Sequence, residues 1–588
     1  MTRLILMFCA ATLFCTAYCA VSAAEEPPMD ENENAVSLKP VTDFLDEYQA
    51  AIEPMSKEAA LASWKAATTG KEEDFDDSAE KSLAIRKYLS NPEMYQRVKS
   101  LNKQFDGKLD KIKARELEQA ERSFRANQLP QELLKQMVEQ STEIERIFNT
   151  FRGEVDGKKY SNNELLEMLA DFDSAGGDLG TSEEVSAQRE QIWAALKQVG
   201  AAVGPKLIEL AKVRNQAARQ LGFDNYWEMR IYFQEHDPEY LMRIFGELEE
   251  LTNEPFKKMK GEMDAELGER FKMKSEALMP WHYDNPFFQA PPPSAEVDLN
   301  IFYEDKSKED ICEISRQYFG DLGLPVESIL ANSDLYEREG KDQHAFCTSI
   351  DNGDDVRILC NIKPTADWMT TQLHELGHAV YSYNHDRKLP YMLRDAAHAL
   401  TTEGVAMYFG ALASSPPWMI EYADAKPEEV AKMADAIREQ RRREQLIFAR
   451  WVLVMLNFEK AFYENPDQDL NTLWWDMVER YQMLKRPADR NAPDWAAKPH
   501  FTIAPVYYHN YMLGELFAAQ LRNSLKQKFG EEAANSGFVP GNGNSEKIGA
   551  FMTEKVFAPG SLYPWPEFVQ KATGSPLTSR FFVEEIKD

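Results

Sequence analysis

Apolar residues recur at helical spacing along most of this chain, between densely charged positions. Such a period predicts amphipathic helices. The predicted helical ranges are 36–129, 130–150, 181–222, 238–267, 308–320, 427–462, 469–484 and 507–529. Residues 280–293 are rich in Pro, Trp and Phe and interrupt this pattern, so they are predicted to form an ordered loop that crosses between two lobes. The pattern therefore predicts a mainly α fold.

One region alternates apolar and polar side chains instead. Residues 343–350 and 355–363 both follow this period of two, and residues 351–354 between them read Asp-Asn-Gly-Asp. Asn-Gly flanked by alternating segments is a strong signal for a β-hairpin. A small hairpin is the clearest β structure that the sequence predicts.

The N-terminus has the pattern of an export signal. Arg3 precedes an apolar run from Leu4 to about Ala17, and small residues follow up to Ala24. This pattern predicts a signal peptide over 1–24, too short for a membrane span, followed by an acidic linker over 25–35. A lipoprotein signal is the alternative, because cysteines occur within the run. We expect export to the periplasm or the extracellular space.

Three cysteines follow the predicted signal peptide, and export would permit a disulfide between two of them. Cys347 and Cys360 fall on the two strands of the predicted hairpin. A turn centred between Gly353 and Asp354 would place them opposite each other, whereas a tighter Asn-Gly turn would offset them. We expect a bridge between these two and a free Cys312.

Composition excludes some classes of partner. The 588 residues include 97 acids and 67 bases, giving a formal net charge of −30. This charge disfavours binding to nucleic acid and to anionic lipid. No stretch after residue 24 reaches 18 apolar residues, so no membrane span is expected. The chain is 43% hydrophobic and has no low-complexity break, so it can form one large folded domain. The composition does not predict the oligomeric state.

The strongest chemical signal is the run His374-Glu375-Leu376-Gly377-His378. Residues four apart lie on one face of a helix, so both imidazoles can bind one metal ion with Glu375 beside it. Pro364 and Thr365 offer a helix start and an N-cap. The alternative is a chance match in a Glu-rich helical protein with exposed histidines.

A third metal ligand is predicted further along the chain. Glu403 lies in a nearly apolar segment, Leu400 to Tyr408, that is predicted to be helical. A buried carboxylate needs a strong partner, and zinc is one. The alternative partner is Arg394 or another cation. Two histidines and one carboxylate suit zinc best among common metals.

Several short motifs together resemble the peptidyl-dipeptidase A family, the angiotensin-converting-enzyme group of zinc metallopeptidases. Their order and spacing follow the family over most of the chain. The motifs are Ala62-Ser63-Trp64, His344-Ala345, His374-Glu375-Leu376-Gly377-His378, Glu403, Trp474-Trp475, Tyr481-Gln482, Lys498-Pro499-His500, Tyr508-His509-Asn510-Tyr511, Pro564-Trp565-Pro566-Glu567 and Thr573-Gly574-Ser575-Pro576.

The chain resembles a bacterial exported member of this family. The resemblance implies a mainly helical, two-lobed ellipsoid. A deep central cleft would hold the zinc helix at its base, with the small hairpin beside the active site. Residues 36–588 would form one peptidase domain. Within it, the helices of 36–150 would act as a lid, and 340–515 would contain the zinc and substrate sites.

The resemblance also implies roles for individual residues. One zinc ion would be held by His374, His378 and Glu403, and Glu375 would transfer protons as the general base and acid. The oxyanion donors would be Tyr511 and His500.

Oligopeptides would be the substrates. Lys498 and Tyr508 would bind the C-terminal carboxylate, so that dipeptides are released from the chain end. His344 and Ala345 would bind the peptide backbone by extending the hairpin edge.

The chain departs from the family at four positions. Met407 stands where a carboxylate orients a zinc-binding histidine, and Tyr283 stands nearest to a glutamine that assists the C-terminal carboxylate. Val478 and Asn510 replace arginines of the chloride-activated members, so we do not expect chloride activation. Two other functions stay open: an exported zinc oligopeptidase or carboxypeptidase that recognises chain ends differently, and a non-catalytic binding protein on this scaffold.

Overall fold

The computed structural model describes residues 37–170, 181–292, 297–539 and 545–587. The signal peptide and the acidic linker predicted over 1–35 lie outside these residues. Within the described residues, no helix is both long and apolar enough to cross a membrane.

The protein is mainly helical, which confirms the predicted fold class. The α-helices are α1 Lys39–Thr69, α2 Glu72–Leu89, α3 Pro92–Phe105, α4 Lys111–Ala126, α5 Gln131–Thr150, α6 Asn162–Ala170, α7 Ser182–Lys197, α8 Val199–Gln220, α9 Tyr226–Phe233, α10 Pro238–Arg270, α11 Lys308–Asp321, α12 Glu327–Asn332, α13 Ala366–Tyr383, α14 Ala399–Gly410, α15 Pro416–Tyr422, α16 Pro427–Glu464, α17 Leu470–Gln482, α18 His500–Ile503, α19 His509–Phe529, α20 Glu531–Ser536, α21 Glu546–Met552, α22 Trp565–Thr573 and α23 Arg580–Glu585. The strands are β1 Gly153–Val155, β2 Lys158–Tyr160, β3 Phe346–Ser349 and β4 Val356–Leu359.

Local sequence explains where several helices begin. Thr181 and Glu184 form a reciprocal capping box at the start of α7. The Asp237 side chain caps α10, and Pro238 occupies its first position, where no backbone N–H is needed. The helix predicted over 181–222 is divided in two at Gln198.

The described helices bury two separate large cores. The N-terminal helices α1–α4 surround their own cluster, which includes Phe44, Val98, Leu117 and Phe124; Tyr391 is the one buried member from elsewhere in the described residues, and Met392 packs against it. The main core runs from Ile144 in α5 to Ile586 near the C-terminus and joins helices from both halves of the sequence. The helices α1–α4 therefore form a layer distinct from the main body.

Three helices of the main body approach one another closely at glycines. A Cβ atom on Gly377 of α13 would lie 2.8 Å from the Ala406 Cα atom of α14. A Cβ atom on Gly404 of α14 would lie 2.8 Å from the Gly514 carbonyl oxygen of α19. Because a side chain at either position would force the helices apart, glycine fixes the spacing of α13, α14 and α19.

The hairpin β3–β4 is present as predicted, but the expected disulfide is not. Cys347 lies opposite Ile358, so the turn is centred on the tighter Asn352-Gly353 pair. This register offsets Cys347 from Cys360, and both thiols are free, as is Cys312. Burial raises the pKa of both hairpin thiols.

Candidate active site

Helix α13 presents the two histidines of the HExxH run on one face. The Thr365 side chain accepts a hydrogen bond from the Trp368 amide at 3.3 Å, which confirms the predicted N-cap. The Nε2 atoms of His374 and His378 lie 3.2 Å apart, one helical turn from each other. Local helix geometry alone therefore brings the two imidazoles together.

Helix α14 supplies the third group. The Glu403 Oε2 atom lies 3.7 Å from His374 Nε2 and 3.8 Å from His378 Nε2. These three residues each direct one ligand atom into a space where all lie within 4.8 Å of one another. The predicted alternative partner, Arg394, donates instead to the Leu389 carbonyl oxygen at 2.7 Å. The cluster has the donors that suit zinc: two imidazole nitrogens and one carboxylate oxygen.

Burial sets the protonation of the cluster. It lowers the pKa of His374 to about 4, and burial with the neighbouring His374 lowers that of His378 to about 3. Both imidazoles are therefore neutral at pH 7, so each can offer a lone pair to a metal. Burial also raises the pKa of Glu403 to about 7. A bound cation would favour its ionised form.

A hydroxyl orients one of the histidines. His378 Nδ1 lies 2.6 Å from Thr402 Oγ1, which leaves Nε2 directed at the cluster. Met407, where the family's carboxylate was expected, lines the adjacent cavity instead. The sequence did not identify Thr402, although it immediately precedes Glu403.

Glu375 is buried beside the cluster on α13. Burial, and then the negative charge of Glu403, raises its pKa to about 8. A carboxyl group with a pKa near neutrality can both accept and return a proton. This is the property that the chemistry of water attack requires.

Tyr511 lies on α19 and lines the same cavity as His374. Burial and the nearby Glu403 raise its pKa, so the phenol keeps its proton. His500 packs against Tyr508 with 4.9 Å between ring centroids, and its Nδ1 atom has no hydrogen-bond partner among the described residues. Burial, and then the charge of Lys498, lowers the pKa of His500 to about 4.

A second polar group lies at Lys498. Its Nζ atom donates to Gln289 Oε1 at 2.7 Å, and the Tyr508 hydroxyl lies 3.5 Å from the same oxygen. Burial lowers the pKa of Lys498 to about 8. Gln289 also lines the cavity, of about 600 Å³, that contains His374 and Tyr511. The cavity thus extends from His374 to the carboxamide of Gln289, which contacts Lys498 and Tyr508.

The sequence does not predict Gln289, because Tyr283 stands nearest to the family's glutamine in the sequence. The Tyr283 hydroxyl instead donates to Asp264 at 2.8 Å, beside Lys260 and away from this group. The only signal in the sequence was a glutamine within the loop predicted to cross between lobes. No local spacing connects that loop with Lys498, which is 209 residues away.

The hairpin lies next to these groups. Asp334 pairs with the outer side of β4, whereas β3 pairs only with β4 among the described residues. The Trp64 ring of α1 packs edge to face against the Phe346 ring of β3, with 6.1 Å between the ring centroids. His344, just before β3, has a 95% exposed side chain with Nδ1 3.4 Å from Asp342. The structure therefore places His344 and Ala345 beside an open strand edge and leaves the imidazole of His344 in solvent.

The two positions where chloride-activated relatives have arginine carry uncharged side chains. The Asn510 side chain donates to Gln234 Oε1 at 2.6 Å, and its Oδ1 atom lies 3.1 Å from His236 Nε2. Val478 is buried against tryptophans.

Comparisons with known proteins agree with this site. The chain is 23% identical to carboxypeptidase 1 of Bacillus subtilis (strain 168) over 322 residues, which cover 50% of the chain and 60% of that protein. It is 25% identical to the thermostable carboxypeptidase 1 of Pyrococcus furiosus over 244 residues, or 37% of the chain and 46% of that protein. It is 22% identical to the angiotensin-converting enzyme of Sus scrofa over 278 residues, or 45% of the chain and 20% of that protein.

These matches span less than two thirds of each relative. The family match is much longer. The Peptidase_M2 family, described as angiotensin-converting enzyme, matches residues 36–582, and the His-His-Glu cluster and Glu375 lie within that range. The chain therefore belongs to the angiotensin-converting-enzyme family of zinc metallopeptidases.

Proposed function

We propose that this protein is a zinc-dependent peptidyl-dipeptidase that releases dipeptides from the free C-terminus of oligopeptides. The observation that carries the proposal is the group formed by Lys498, Gln289 and Tyr508 beside a cavity that also reaches His374. An ammonium, a carboxamide and a phenol can together bind a carboxylate. Fixing the chain end near the metal cluster would set the length of the released fragment.

His374, His378 and Glu403 would hold the zinc ion. Zinc at such a site supplies Lewis-acid polarisation of the scissile carbonyl and lowers the pKa of water. Glu375 would take the proton from the attacking water and deliver it to the leaving amine. Tyr511 and His500 would donate hydrogen bonds to the oxyanion that develops on the carbonyl oxygen.

The strand edge would hold the peptide upstream of the cut. A bound peptide would add a strand to β3, with the backbone of Ala345 pairing and His344 contacting a peptide carbonyl group. The free edge of β3 supports this arrangement. Because the hairpin packs on α13, such a strand would run past Glu375.

A carboxypeptidase activity is the second candidate, because two of the relatives are named carboxypeptidases. It would use the same metal chemistry and release single residues instead of dipeptides. A non-catalytic binding role is the third, and Glu375 beside the cluster argues against it. Mass spectrometry of the products separates the first two, and a Glu375→Gln variant tests the third.

The decisive experiment follows the digestion of an internally varied decapeptide with a free and with an amidated C-terminus. The proposal expects sequential loss of dipeptides from the free peptide and at least tenfold slower loss from the amidated one. Gln289→Glu, which places a like charge at the carboxylate group, should reduce kcat/KM for the free peptide by about 100-fold, while Lys485→Met, at an exposed lysine, should not. Internal cuts indifferent to amidation, or release of single residues, would contradict the proposal.

We also propose that chloride does not activate the enzyme. The side chains of Asn510 and Val478 support this, because neither supplies the cation that a chloride ion would bind. Lys197 lines the cavity beside Val478, and burial lowers its pKa well below the usual range, which favours its neutral form. Turnover should stay within twofold when chloride replaces acetate at fixed ionic strength. A rise of several-fold would contradict the proposal.

Export to the periplasm or the extracellular space is likewise proposed, on the signal-peptide pattern of residues 1–24 and a net charge that disfavours nucleic acid and anionic membranes. The mature N-terminus should then begin near Glu25. Sequencing the N-terminus of the protein recovered from the periplasm or the medium tests this. Recovery of the uncleaved chain in the cytoplasm would contradict it.

A further inference from the structure

The cavity beside the metal cluster continues into a second one. The two have volumes of about 600 and 650 Å³ and share four lining residues: Ala411, Ser414, Ile437 and Arg441. Arg441 is the one charged residue among those four. It projects from α16 at the point where the two cavities meet, so its guanidinium can be reached from the side of His374.

The guanidinium of Arg441 has no direct partner. Among the described residues, none accepts a hydrogen bond from it or forms an ion pair with it. The charged residues near Arg441 contact other groups. Arg522 forms an ion pair with Glu585. Glu444 accepts a hydrogen bond from Gln440 at 2.7 Å, and Glu515 accepts one from Gln445. Arg441 thus lines both cavities with donors that no described residue engages.

Arg441 is half-buried, and a planar anion is the partner that its fork of donors fits. Burial, and then the charge of Arg522, lowers the pKa of Arg441 despite the opposite effect of Glu585, Glu515 and Glu444. These three acids therefore compensate the guanidinium only in part. A carboxylate brought by a ligand would complete the site.

We propose that this cavity accepts an acidic side chain from the C-terminal part of the substrate, with its carboxylate bound by Arg441. This inference rests on the proposed peptidyl-dipeptidase function, since the cavity also contains Gln289, which contacts Lys498. The side chains of the last two substrate residues would lie between His374 and this group. The enzyme would then prefer peptides with Glu or Asp at one of those two positions.

The test compares acetylated hexapeptides that differ only by Glu, Gln or Lys at the fifth or the sixth position. Glu and Gln have the same shape, so their ratio of kcat/KM isolates the charge. We expect Glu to exceed Gln by about tenfold at one position in the parent enzyme, as one charge-assisted hydrogen bond supplies. Arg441→Met should bring this ratio close to one, and Arg441→Glu should make Lys the preferred residue.

The matched control is Arg438→Met, one turn away, where an exposed arginine lines only the second cavity and pairs with Asp435 at 3.2 Å. It should leave the Glu-to-Gln ratio unchanged. A ratio near one in the parent, or a ratio that survives Arg441→Met in a variant with a parental melting temperature, would overturn the inference.

A binding measurement distinguishes failure of this inference from failure of the proposed function. Calorimetry would compare the dipeptides Ala-Glu, Glu-Ala and Ala-Gln on the Glu375→Gln variant with and without Arg441→Met. An acidic dipeptide should bind about tenfold tighter than Ala-Gln, and only when Arg441 is present. If products other than dipeptides form while this difference persists, the dipeptidase assignment fails and the acidic site stands. If the difference is absent, the acidic site fails whatever the products are.

Discussion

The imidazole of His378 depends on a single hydroxyl for its orientation. Thr402 Oγ1 lies 2.6 Å from His378 Nδ1. Met407, which stands where the family has a carboxylate to orient a zinc-binding histidine, lines the cavity instead. A neutral acceptor polarises an imidazole less than a carboxylate does. The metal affinity of this site therefore rests on a bond that one isosteric substitution removes.

Thr402→Val removes that acceptor while keeping the shape of the side chain. We expect zinc affinity to fall about 10- to 100-fold, as loss of a group that orients a ligand typically does. Competition with a chromogenic chelator measures this. Thr370→Val, at an exposed threonine of α13 that lines the same cavity, should leave affinity within twofold. Equal affinities of the two variants would show that Thr402 does not orient His378.

The sequence predicts the cluster of His374, His378 and Glu403, but it does not predict that Gln289 lies beside Lys498. The spacing of His374 and His378 is set by one helix, so local pattern suffices. Gln289 meets Lys498 through the packing of distant segments, which no local pattern records. The offset of Cys347 from Cys360 is a further example, because two turn geometries fit the same four residues and only the formed register selects one.

At the scale of elements, two helices that carry site residues begin at histidines, of which His509 is buried and His398 is half-buried. The His398 side chain caps α14, which carries Glu403, and α19 begins at His509, two residues before Tyr511. His236 lies between them, with its ring 4.7 Å from His398 and 5.0 Å from His509. The helix starts were predicted within a few residues, but this contact among three histidines was not, because it joins three separate segments.

Acid should weaken these helix starts. Burial lowers the pKa of His398 to about 4 and that of His509 to about 3, and it also lowers that of His236. In the unfolded chain these groups take up protons near pH 6.5, so stability is full above that pH and falls as the pH drops toward 4. Each such histidine contributes a slope of about 1.4 kcal/mol per pH unit in that window.

His398→Asn keeps a competent cap but removes one titrating group. The free energy of unfolding in urea, measured on metal-free protein at pH 7, 6 and 5, should fall less steeply with acid in this variant than in the parent, by about 1.4 kcal/mol per pH unit. His344→Asn, at an exposed histidine, should retain the parental slope. Parallel slopes in all three proteins would refute the role assigned to His398.

At the scale of the whole molecule, polar contacts join the N-terminal layer α1–α4 to the main body. Arg115 of α4 is buried, with Nη2 2.8 Å from Glu235 and Nε donating to the Ser561 carbonyl oxygen at 2.9 Å. Arg122 reaches the same Glu235 at 3.2 Å. Among the described residues, Tyr391 and Met392 extend the apolar core of the layer into the main body. This layer is the part of the molecule that we expect to move as a lid.

Arg115→Met should loosen the layer without unfolding the site. Loss of hydrogen bonds to a charged, buried partner costs about 2–3 kcal/mol. Amide exchange in 39–126 should therefore become faster, while exchange in α13 and α14 stays at the parental rate. Lys111→Met, which breaks the exposed pair with Glu567 at the same interface, should change exchange little. Faster exchange throughout the molecule would show that the layer and the body open as one unit.

The two separate cores also have a consequence for the order in which the molecule can be made. The chain is synthesised from its N-terminus. Helices α1–α4 supply every buried residue of their own core except Tyr391, so this layer can fold early in synthesis. The main core, which holds the metal cluster, extends to Ile586, so it can be completed only when nearly the whole chain has been synthesised. The nascent protein would thus complete the core of the α1–α4 layer before the core that holds the metal cluster.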